Sequence, residues 1–267
     1  MLYGSTRGRG VTVMETHERG PVLSHGFEAR AGAAGCASVT VWNSPAGDER
    51  DGGDWCAAVP LSSYEIALTI GDVSGHGEAV AGTKASLRAS ILGAILRTRA
   101  PSDVLSIANG VAFADADRRV GVGTISTAVI AFFDERRRSL TLANAGHPPP
   151  LVVTADRHSF LTQSQADLPL GIFAQHEATN SVVKVHREAI VVFYTDGVTE
   201  RERDVLRGEH DLIEAARFAY ARPDCDAART IADHVFRNGR GLDDAAVMVL
   251  RTPPPPIRAS RNGASLL

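Results

Sequence analysis

The feature that most restricts the fold is a series of strand-like segments joined by connections too short to contain a helix. Gly123–Phe133 and Ser139–Asn144 flank the polar turn Asp134–Arg138, which is typical of a β-hairpin. Parallel strands need crossovers of roughly a dozen residues or more, so this spacing predicts mostly antiparallel sheets. Ile125–Phe133 is apolar at both odd and even positions, which indicates that both of its faces are covered. We therefore predict an α+β fold in which two mostly antiparallel sheets pack together and helices flank them.

Apolar spacing and β-branched runs predict the other elements. Leu87, Ile91 and Ile95 recur at a helical interval, so a long helix is predicted ahead of Pro101, and Ser102 is predicted to cap a second helix. The other predicted elements are helices at Glu78–Arg99, Asp211–Ala221 and Asp226–Arg237, and strands at Ser38–Trp42, Tyr64–Ile70, Pro150–Thr154, Ser181–His186, Ile190–Thr195 and Ala245–Leu250.

Composition divides the 267-residue chain into one domain and two flanking segments. Residues 1–36 are rich in Gly, Arg and Ala and have weak periodicity, which predicts an irregular lead-in. Residues 252–267 contain a proline run followed by small polar residues, which is typical of a disordered tail. The folded domain is therefore predicted to span residues 37–251.

Charge and apolar content exclude several classes of function. With 28 Lys and Arg residues against 31 Asp and Glu residues, the chain has no basic excess with which to bind a nucleic acid. It has no stretch near the roughly 18 consecutive apolar residues that span a bilayer, and its N-terminus lacks the apolar segment of a signal peptide. Three cysteines are too few and too scattered for a disulfide framework or a zinc site. We expect a cytoplasmic protein that binds neither nucleic acid nor membrane.

Acidic residues lie beside several of the predicted strands. Asp72 and Asp196 each follow an apolar strand. Asp54 lies in a glycine-rich turn, and Asp243 and Asp244 precede the last strand. Carboxylates that converge take up protons or a cation, and oxygen ligands without His or Cys partners suit Mg²⁺ or Mn²⁺ rather than zinc. Each position alone also fits an ordinary turn or strand start, so spacing by itself leaves their convergence open.

Six sequence strings, taken together, resemble one protein family. GGDW, GDVSGHG, ANAGHPPPL, PLGI, FYTDGVTE and DDAAVMVL occur in this order, over about residues 51–251. They resemble the metal-dependent protein phosphatases (the PPM or protein phosphatase 2C-like family), in the bacterial branch typified by SpoIIE and RsbU. The resemblance implies a four-layer α-β-β-α sandwich with a site for two Mn²⁺ or Mg²⁺ ions at one end.

The same resemblance implies the metal ligands. Asp72 is expected to bridge the two ions, and the backbone carbonyl of Val73 is expected to complete one coordination shell. Asp196 and Asp243 are expected to hold the first ion, with Asp244 the less expected ligand of the Asp243–Asp244 pair. Asp54 is expected to serve the second ion, directly or through water. Asp72 and Asp54 are the expected catalytic residues, acting through a metal-activated water with no protein nucleophile.

The resemblance also implies supporting roles near the ions. His76 is expected to order its loop by hydrogen bonding, with a role as general acid the less favoured alternative, and His147 is expected to brace the metal-binding loops. Glycines beside the carboxylates let the backbone approach an ion or a phosphate. The supporting residues are Gly53, Gly75, His76, Asn144, His147 and Gly197.

One string departs from the family pattern. The family shows Gly-Gly-Asp-Trp-Tyr-Asp, whereas Cys56 and Ala57 follow Trp55 in this chain, so the second acidic residue is missing. The departure puts the second metal site in question and leaves an alternative function, a catalytically weak PPM-fold interaction module in a partner-switching pathway. Cys56 is expected to be a small apolar filler rather than a nucleophile.

The resemblance implies a serine/threonine phosphoprotein phosphatase that requires Mn²⁺ or Mg²⁺ and hydrolyses phosphomonoesters. Its implied substrate is a phosphorylated anti-sigma-factor antagonist, which is a small STAS domain. Regulation is expected to come from a separate regulatory or sensor protein, from a homodimer, or from metal supply. The presence of all the expected metal-binding carboxylates favours an active enzyme over the interaction module, since a binding domain has no physical need for them.

Overall fold

A computed structural model of the chain describes residues 12–15, 27–30, 37–45, 52–75, 77–118, 125–162, 167–175, 177–201, 203–237, 239 and 243–254. The α-helices are α1 (Glu78–Ile95), α2 (Pro101–Arg118), α3 (Val205–Tyr220) and α4 (Ala227–Val235), and a short 3₁₀ helix spans Asp196–Val198. The strands are β1 (Thr12–Glu15), β2 (Phe27–Arg30), β3 (Ser38–Ser44), β4 (Trp55–Pro60), β5 (Glu65–Val73), β6 (Ser126–Asp134), β7 (Ser139–Ala145), β8 (Leu151–Val153), β9 (His158–Phe160), β10 (Ser181–Lys184), β11 (Ile190–Tyr194) and β12 (Ala245–Arg251).

The strands form two antiparallel sheets. One sheet has the order β1-β2-β3-β12-β11-β8-β9, and the other has the order β10-β7-β6-β5-β4. Apolar side chains from both sheets form a shared core between them. Helices α1 and α2 pack on the outer face of the five-stranded sheet, and α3 and α4 pack on the outer face of the seven-stranded sheet. The predicted α+β class and the four-layer α-β-β-α sandwich are confirmed.

Strand β6 explains why one segment is apolar at both odd and even positions. Its odd-numbered residues, among them Val129 and Phe133, face the core between the sheets. Its even-numbered residues, among them Ile130 and Phe132, face α1 and α2. Because successive side chains of a strand point to opposite faces, both faces of β6 are covered, as the pattern predicts.

Several element boundaries differ from the predicted ones. Helix α3 begins at Val205 rather than at Asp211, because the side chain of Asp204 accepts a hydrogen bond from the backbone N–H of Arg207 and caps the helix there. Helix α1 ends at Ile95 rather than at Arg99. Strand β4 was not predicted, since its short mixed sequence has no clear period.

The structure describes only parts of the two terminal segments. Strands β1 and β2 lie within the predicted lead-in of residues 1–36, and β2 pairs with β3, so that segment is not irregular throughout. Residues 255–267 of the predicted tail lie outside the described residues. Among the described helices, none has both the length and the apolar composition of a membrane-spanning segment.

Candidate active site

The acidic residues singled out in the sequence lie at one end of the sandwich. Antiparallel pairing places the end of β5 beside the start of β4, with Trp55 opposite Gly71. It likewise places the end of β11 beside the start of β12, with Tyr194 opposite Val247. Two acidic segments therefore meet in each sheet. We call the five side chains concerned the carboxylate cluster: Asp54, Asp72, Asp196, Asp243 and Asp244.

Strand alternation directs part of this cluster into the gap between the sheets. The even-numbered residues Leu68 and Ile70 of β5 face the core between the sheets, so Asp72 continues the same face. On β12 the inward residues are also even-numbered, among them Ala246 and Met248. The cluster thus forms the polar end of a core that is otherwise apolar.

Hydrogen bonds across the gap join the two sheets at this end. The Thr195 hydroxyl, directly after β11, donates to Oδ2 of Asp54 at 2.7 Å. The backbone N–H of Gly53 donates to Oδ2 of Asp244 at 2.5 Å, linking positions 191 residues apart in sequence. The Thr195 hydroxyl also accepts a hydrogen bond from the backbone N–H of Ala246 at 2.8 Å. Residues 52–54 are therefore bound to the seven-stranded sheet at two points.

Burial and neighbouring negative charge raise the pKa values of Asp54, Asp72 and Asp196. Burial, followed by the charges of Asp196, Asp243 and Asp244, raises the pKa of Asp72 to about 7. Burial and the nearby charge of Asp72 raise the pKa of Asp54 well above its ordinary value. The pKa of Asp196 is raised by burial and by the charge of Asp243. Negative charge at this end of the fold is thus unfavourable unless protons or a cation offset it.

Glycines bring the backbone close to the cluster. A Cβ atom on Gly53 would lie 2.3 Å from the carbonyl oxygen of Val73 and 2.7 Å from Oδ1 of Asp72. A Cβ atom on Gly52 would lie 2.1 Å from Oδ2 of Asp244, and one on Gly197 would lie 1.9 Å from the Asp244 carbonyl oxygen. Backbone atoms leave room only for glycine at positions 53 and 197, and a side chain at position 52 would displace the Asp244 carboxylate, so the spacing of the Gly-Gly-Asp and Asp-Gly strings has a steric reason.

The donor set is chemically suited to a hard divalent cation. It consists of carboxylate oxygens, several with raised pKa, and a backbone carbonyl at Val73 that lies against Gly53. Mg²⁺ and Mn²⁺ favour such oxygen ligands, and their charge offsets both the burial and the neighbouring negative charge that raise the pKa of Asp72. The residues present therefore fit the metal type that the sequence resemblance implies.

His147 and Asn144 form a compact turn near the cluster. The His147 backbone N–H donates to the Asn144 side chain at 2.7 Å, and Nδ2 of Asn144 donates to the His147 carbonyl at 2.8 Å. Nδ1 of His147 is hydrogen-bonded to Oγ1 of Thr127 at 2.8 Å, and Thr127 pairs with Asp72 between β5 and β6. Burial lowers the pKa of His147 to about 3, so the ring is neutral at physiological pH. It can brace the strand that carries Asp72 but does not supply a proton there.

For two other predicted residues, His76 and Gly75, the structure gives little information about a role in the site. His76 lies outside the described residues. Gly75 is exposed and has a φ of 106°, a left-handed conformation that favours glycine in the turn after β5.

The residues that depart from the family pattern lie on different faces of β4. Cys56 packs against the core between the sheets, whereas Trp55 and Val59 pack on the helix side. Alternation therefore turns Ala57 towards the helices, away from the carboxylate cluster. Burial, followed by the charge of Asp54, raises the pKa of the Cys56 thiol to about 12, so it is not poised as a nucleophile.

Three residues near the cluster were not among the predicted site residues. Thr195 lies within the Tyr-Thr-Asp-Gly string, but only the fold reveals its bond to Asp54. Thr127 lies beside Asp72 because of the register between β5 and β6, and it belongs to no recognisable motif. Lys84, on α1, donates from Nζ to the carbonyl oxygen of Gly52, and nothing in its local sequence marks it.

A second group of possible metal ligands lies on α3. His210, Asp211 and Glu214, here called the α3 cluster, offer ligand atoms within 4.8 Å of one another. Asp211 is paired with Arg201 at 2.5 Å and with Arg237 at 3.9 Å. Arginine thus already offsets the buried charge of this cluster.

Comparisons with known proteins identify the family and the fold. The family model of Stage II sporulation protein E (SpoIIE) matches residues 62–253. The RsbU and RsbW domains of a Mycobacterium tuberculosis protein superpose with a TM-score of 0.69 at 25% identity, over 82% of this chain and 63% of that one. The chain therefore spans less than two thirds of the length of that structure.

Two further solved structures share the fold at lower identity. The PP2C phosphatase domain of SpoIIE from Bacillus subtilis, with a fragment of its regulatory domain, has a TM-score of 0.68 at 17% identity, over 90% of this chain and 71% of that one. RsbX, solved in complex with magnesium, has a TM-score of 0.60 at 11% identity, over 85% of this chain and 98% of that one.

Proposed function

Because this chain belongs to the SpoIIE family, within the SpoIIE/RsbU branch of PP2C-type phosphatases, we propose that it is a serine/threonine phosphoprotein phosphatase that requires Mn²⁺ or Mg²⁺. The observation that carries the proposal is the carboxylate cluster, in which separate segments of both sheets meet, and in which burial and then neighbouring negative charge raise the pKa of Asp72 to about 7. A fold that brings these groups together at the cost of mutual repulsion is suited to binding cations.

Two divalent ions are proposed to bind in the cluster. Asp72 would be shared between them, with Asp196, Asp243 and the Val73 carbonyl at the first and Asp54 at the second. Asp243 is the preferred member of its pair because its charge acts on Asp196 as well as on Asp72, whereas Asp244 acts on Asp54 and Asp72 and already accepts the Gly53 N–H. When bound, such ions lower the pKa of a coordinated water and neutralise charge on phosphoryl oxygens.

The chain's own groups have distinct tasks in this hydrolysis. Thr195 and the Gly53 N–H hold Asp54 and Asp244 in fixed orientations across the gap. The Asn144–His147 turn, through Thr127, supports the strand that carries Asp72. The protonated Cys56 thiol does not compete as a nucleophile, which is consistent with direct attack by water.

The proposed substrate is a phosphorylated STAS-domain protein of a partner-switching pathway. The similarity to a Mycobacterium tuberculosis protein with RsbU and RsbW domains supports such a pathway. Control of activity by a separate regulatory or sensor protein, or by a homodimer, belongs to the same proposal, as does a location in the cytoplasm.

The test is hydrolysis of p-nitrophenyl phosphate and of a phosphoserine STAS protein while Mn²⁺ is titrated in, with Asp72→Ala as the control. Turnover that rises with Mn²⁺ and is lost in Asp72→Ala supports the phosphatase. Undiminished turnover in Asp72→Ala would remove the site assignment. Calorimetric Mn²⁺ binding without any turnover would favour the catalytically weak interaction module instead.

A further inference from the structure

A single side chain connects helix α1 to the loop on which the carboxylate cluster is assembled. Lys84 lies about two turns into α1, is half-buried, and donates a hydrogen bond from its ammonium group to the carbonyl oxygen of Gly52. Arg201 and Arg237 bind carboxylate oxygens at the α3 cluster, whereas Lys84 binds a neutral backbone oxygen. Its contact therefore fixes the position of the loop.

The loop it fixes touches three parts of the carboxylate cluster. The Gly53 N–H binds Asp244, and the Gly53 backbone lies against the Val73 carbonyl and Asp72. The next residue, Asp54, accepts the Thr195 hydroxyl. A shift of the Gly52 carbonyl would thus move Asp54 and change the bond to Asp244 together. Hydrogen bonds that orient ligands in this way tune the affinity of metal sites without contacting the ion.

The identity of the residue is also informative. Of the 28 Lys and Arg residues of the chain, only two are lysines, Lys84 and Lys184. A lysine ammonium is a compact point charge with three donors, which suits a single carbonyl oxygen in a narrow space. Lys184 donates from Nζ to the Arg137 carbonyl at 3.3 Å on an exposed edge strand, so the second lysine makes the same kind of contact away from the site.

We propose that Lys84 is a positioning residue of the metal centre, which holds the Gly52–Asp54 loop through the Gly52 carbonyl and so sets the affinity for the divalent ions. This inference rests on the proposed function. It adds a residue of α1 that acts on the ions through the loop and not by coordination.

The experiment measures Mn²⁺ affinity by calorimetry for the full chain and for Lys84→Met, Lys84→Arg and Lys184→Met. Lys84→Met should bind Mn²⁺ about tenfold more weakly, the usual scale for loss of an outer hydrogen bond. Lys84→Arg keeps a charged donor and should stay within about threefold of the wild type. Lys184→Met loses the same chemical group elsewhere and should bind Mn²⁺ as the wild type does.

The results of these titrations distinguish a failure of this inference from a failure of the proposed function. Wild-type protein that binds no Mn²⁺ would remove both. Wild-type binding that Lys84→Met leaves unchanged, or that Lys184→Met weakens equally, would overturn the role of Lys84 alone. If turnover at saturating Mn²⁺ recovers in Lys84→Met, the defect lies in affinity, as proposed.

A second measurement leaves Lys84 in place, so it does not depend on the folding of a Lys84 variant. Reductive methylation with ¹³C-formaldehyde labels the two lysines and the N-terminal amine, and the Lys184→Met protein assigns the two lysine signals. The Lys84 signal should shift on saturation with Mg²⁺, because the loop it contacts leads directly into Asp54 of the carboxylate cluster, while the Lys184 signal should stay. Equal or absent shifts would contradict the proposal.

Discussion

The molecule contains two groups of acidic side chains that look alike in composition but differ in how their charge is balanced. In the α3 cluster, the buried Asp211 side chain pairs with Arg201, and the two side chains are 10% and 6% exposed. In the carboxylate cluster, Asp54 and Asp244 receive hydrogen bonds from a neutral hydroxyl and a neutral amide. The pKa values of Asp54, Asp72 and Asp196 remain raised.

The difference shows that proximity of acidic groups does not by itself identify a metal site. The α3 cluster has ligand atoms within 4.8 Å of one another, which is close enough for them to share one metal ion. Its charge, however, is already balanced by arginines within the fold. The carboxylate cluster is held together across two sheets while burial and neighbouring charge keep the pKa values of Asp54, Asp72 and Asp196 raised, so a divalent cation gains the most free energy there.

The largest expected difference between the clusters is in metal affinity. Asp72→Asn should weaken Mn²⁺ binding by more than about 100-fold, because loss of a shared ligand costs more than loss of an outer hydrogen bond. Glu214→Gln, in the exposed part of the α3 cluster, should leave the affinity within about twofold. Calorimetric titration of the two variants measures both values. Loss of binding in Glu214→Gln would transfer the metal site to α3.

For the stability of the metal-free protein, we expect the opposite ranking: a substitution in the α3 cluster should cost more than one in the carboxylate cluster. Asp211→Asn leaves Arg201 without its buried charge partner and should lower the free energy of unfolding by about 3 kcal/mol. Asp72→Asn removes one charge from a crowded cluster and should not destabilise the metal-free protein. Urea unfolding with a chelator present compares the two variants. A larger loss in Asp72→Asn than in Asp211→Asn would show that repulsion does not dominate the carboxylate cluster.

The same repulsion predicts a pH dependence for the metal-free protein. The pKa of Asp72 is about 7 in the folded state against an ordinary 3.8, so between these values the folded protein binds a proton that the unfolded chain lacks. By linkage, this residue's contribution to stability is full below about pH 4 and is lost as the pH rises through about 7. His147 acts in the opposite sense, because its lowered pKa removes stability as the pH falls below about 6.5.

Because Asp72 and His147 have opposite effects, the unfolding free energy of the wild type alone does not isolate the effect of Asp72. The wild type is therefore compared with Asp72→Asn at each pH. The difference in unfolding free energy between the two proteins should move in favour of Asp72→Asn as the pH rises from about 5 to about 8, measured by urea unfolding with a chelator. A difference that stays constant over this range would mean that Asp72 titrates normally in the folded state.

The fold was largely predictable from sequence because its signals are local. The apolar run Ala128–Phe133 of β6 and the short connections around it predict two covered antiparallel sheets, and the motif strings predict the family; both are confirmed. The start of α3 was missed because a single cap at Asp204, not apolar spacing, decides it. The roles of the acidic residues as metal ligands stay predictions.

The connections within the site were not predictable in the same way. The bond from Gly53 to Asp244 joins residues 191 apart, and that from Thr195 to Asp54 joins residues 141 apart. Such contacts depend on how one sheet lies on the other, which no local period encodes. The contact of Lys84 is even more difficult to predict from sequence, since the charged end of a lysine side chain on a helix is ordinarily solvated.

The smallest expected effect concerns the departure at Ala57. From sequence alone, the missing acidic residue puts the second metal site in question. In the structure, Trp55 and Val59 on either side of Ala57 pack towards the helices. A carboxylate at this position would therefore face α1 and not the carboxylate cluster. Ala57→Asp should leave the Mn²⁺ affinity within about twofold of the wild type in calorimetric titration; a tenfold gain would put position 57 at the metal centre after all.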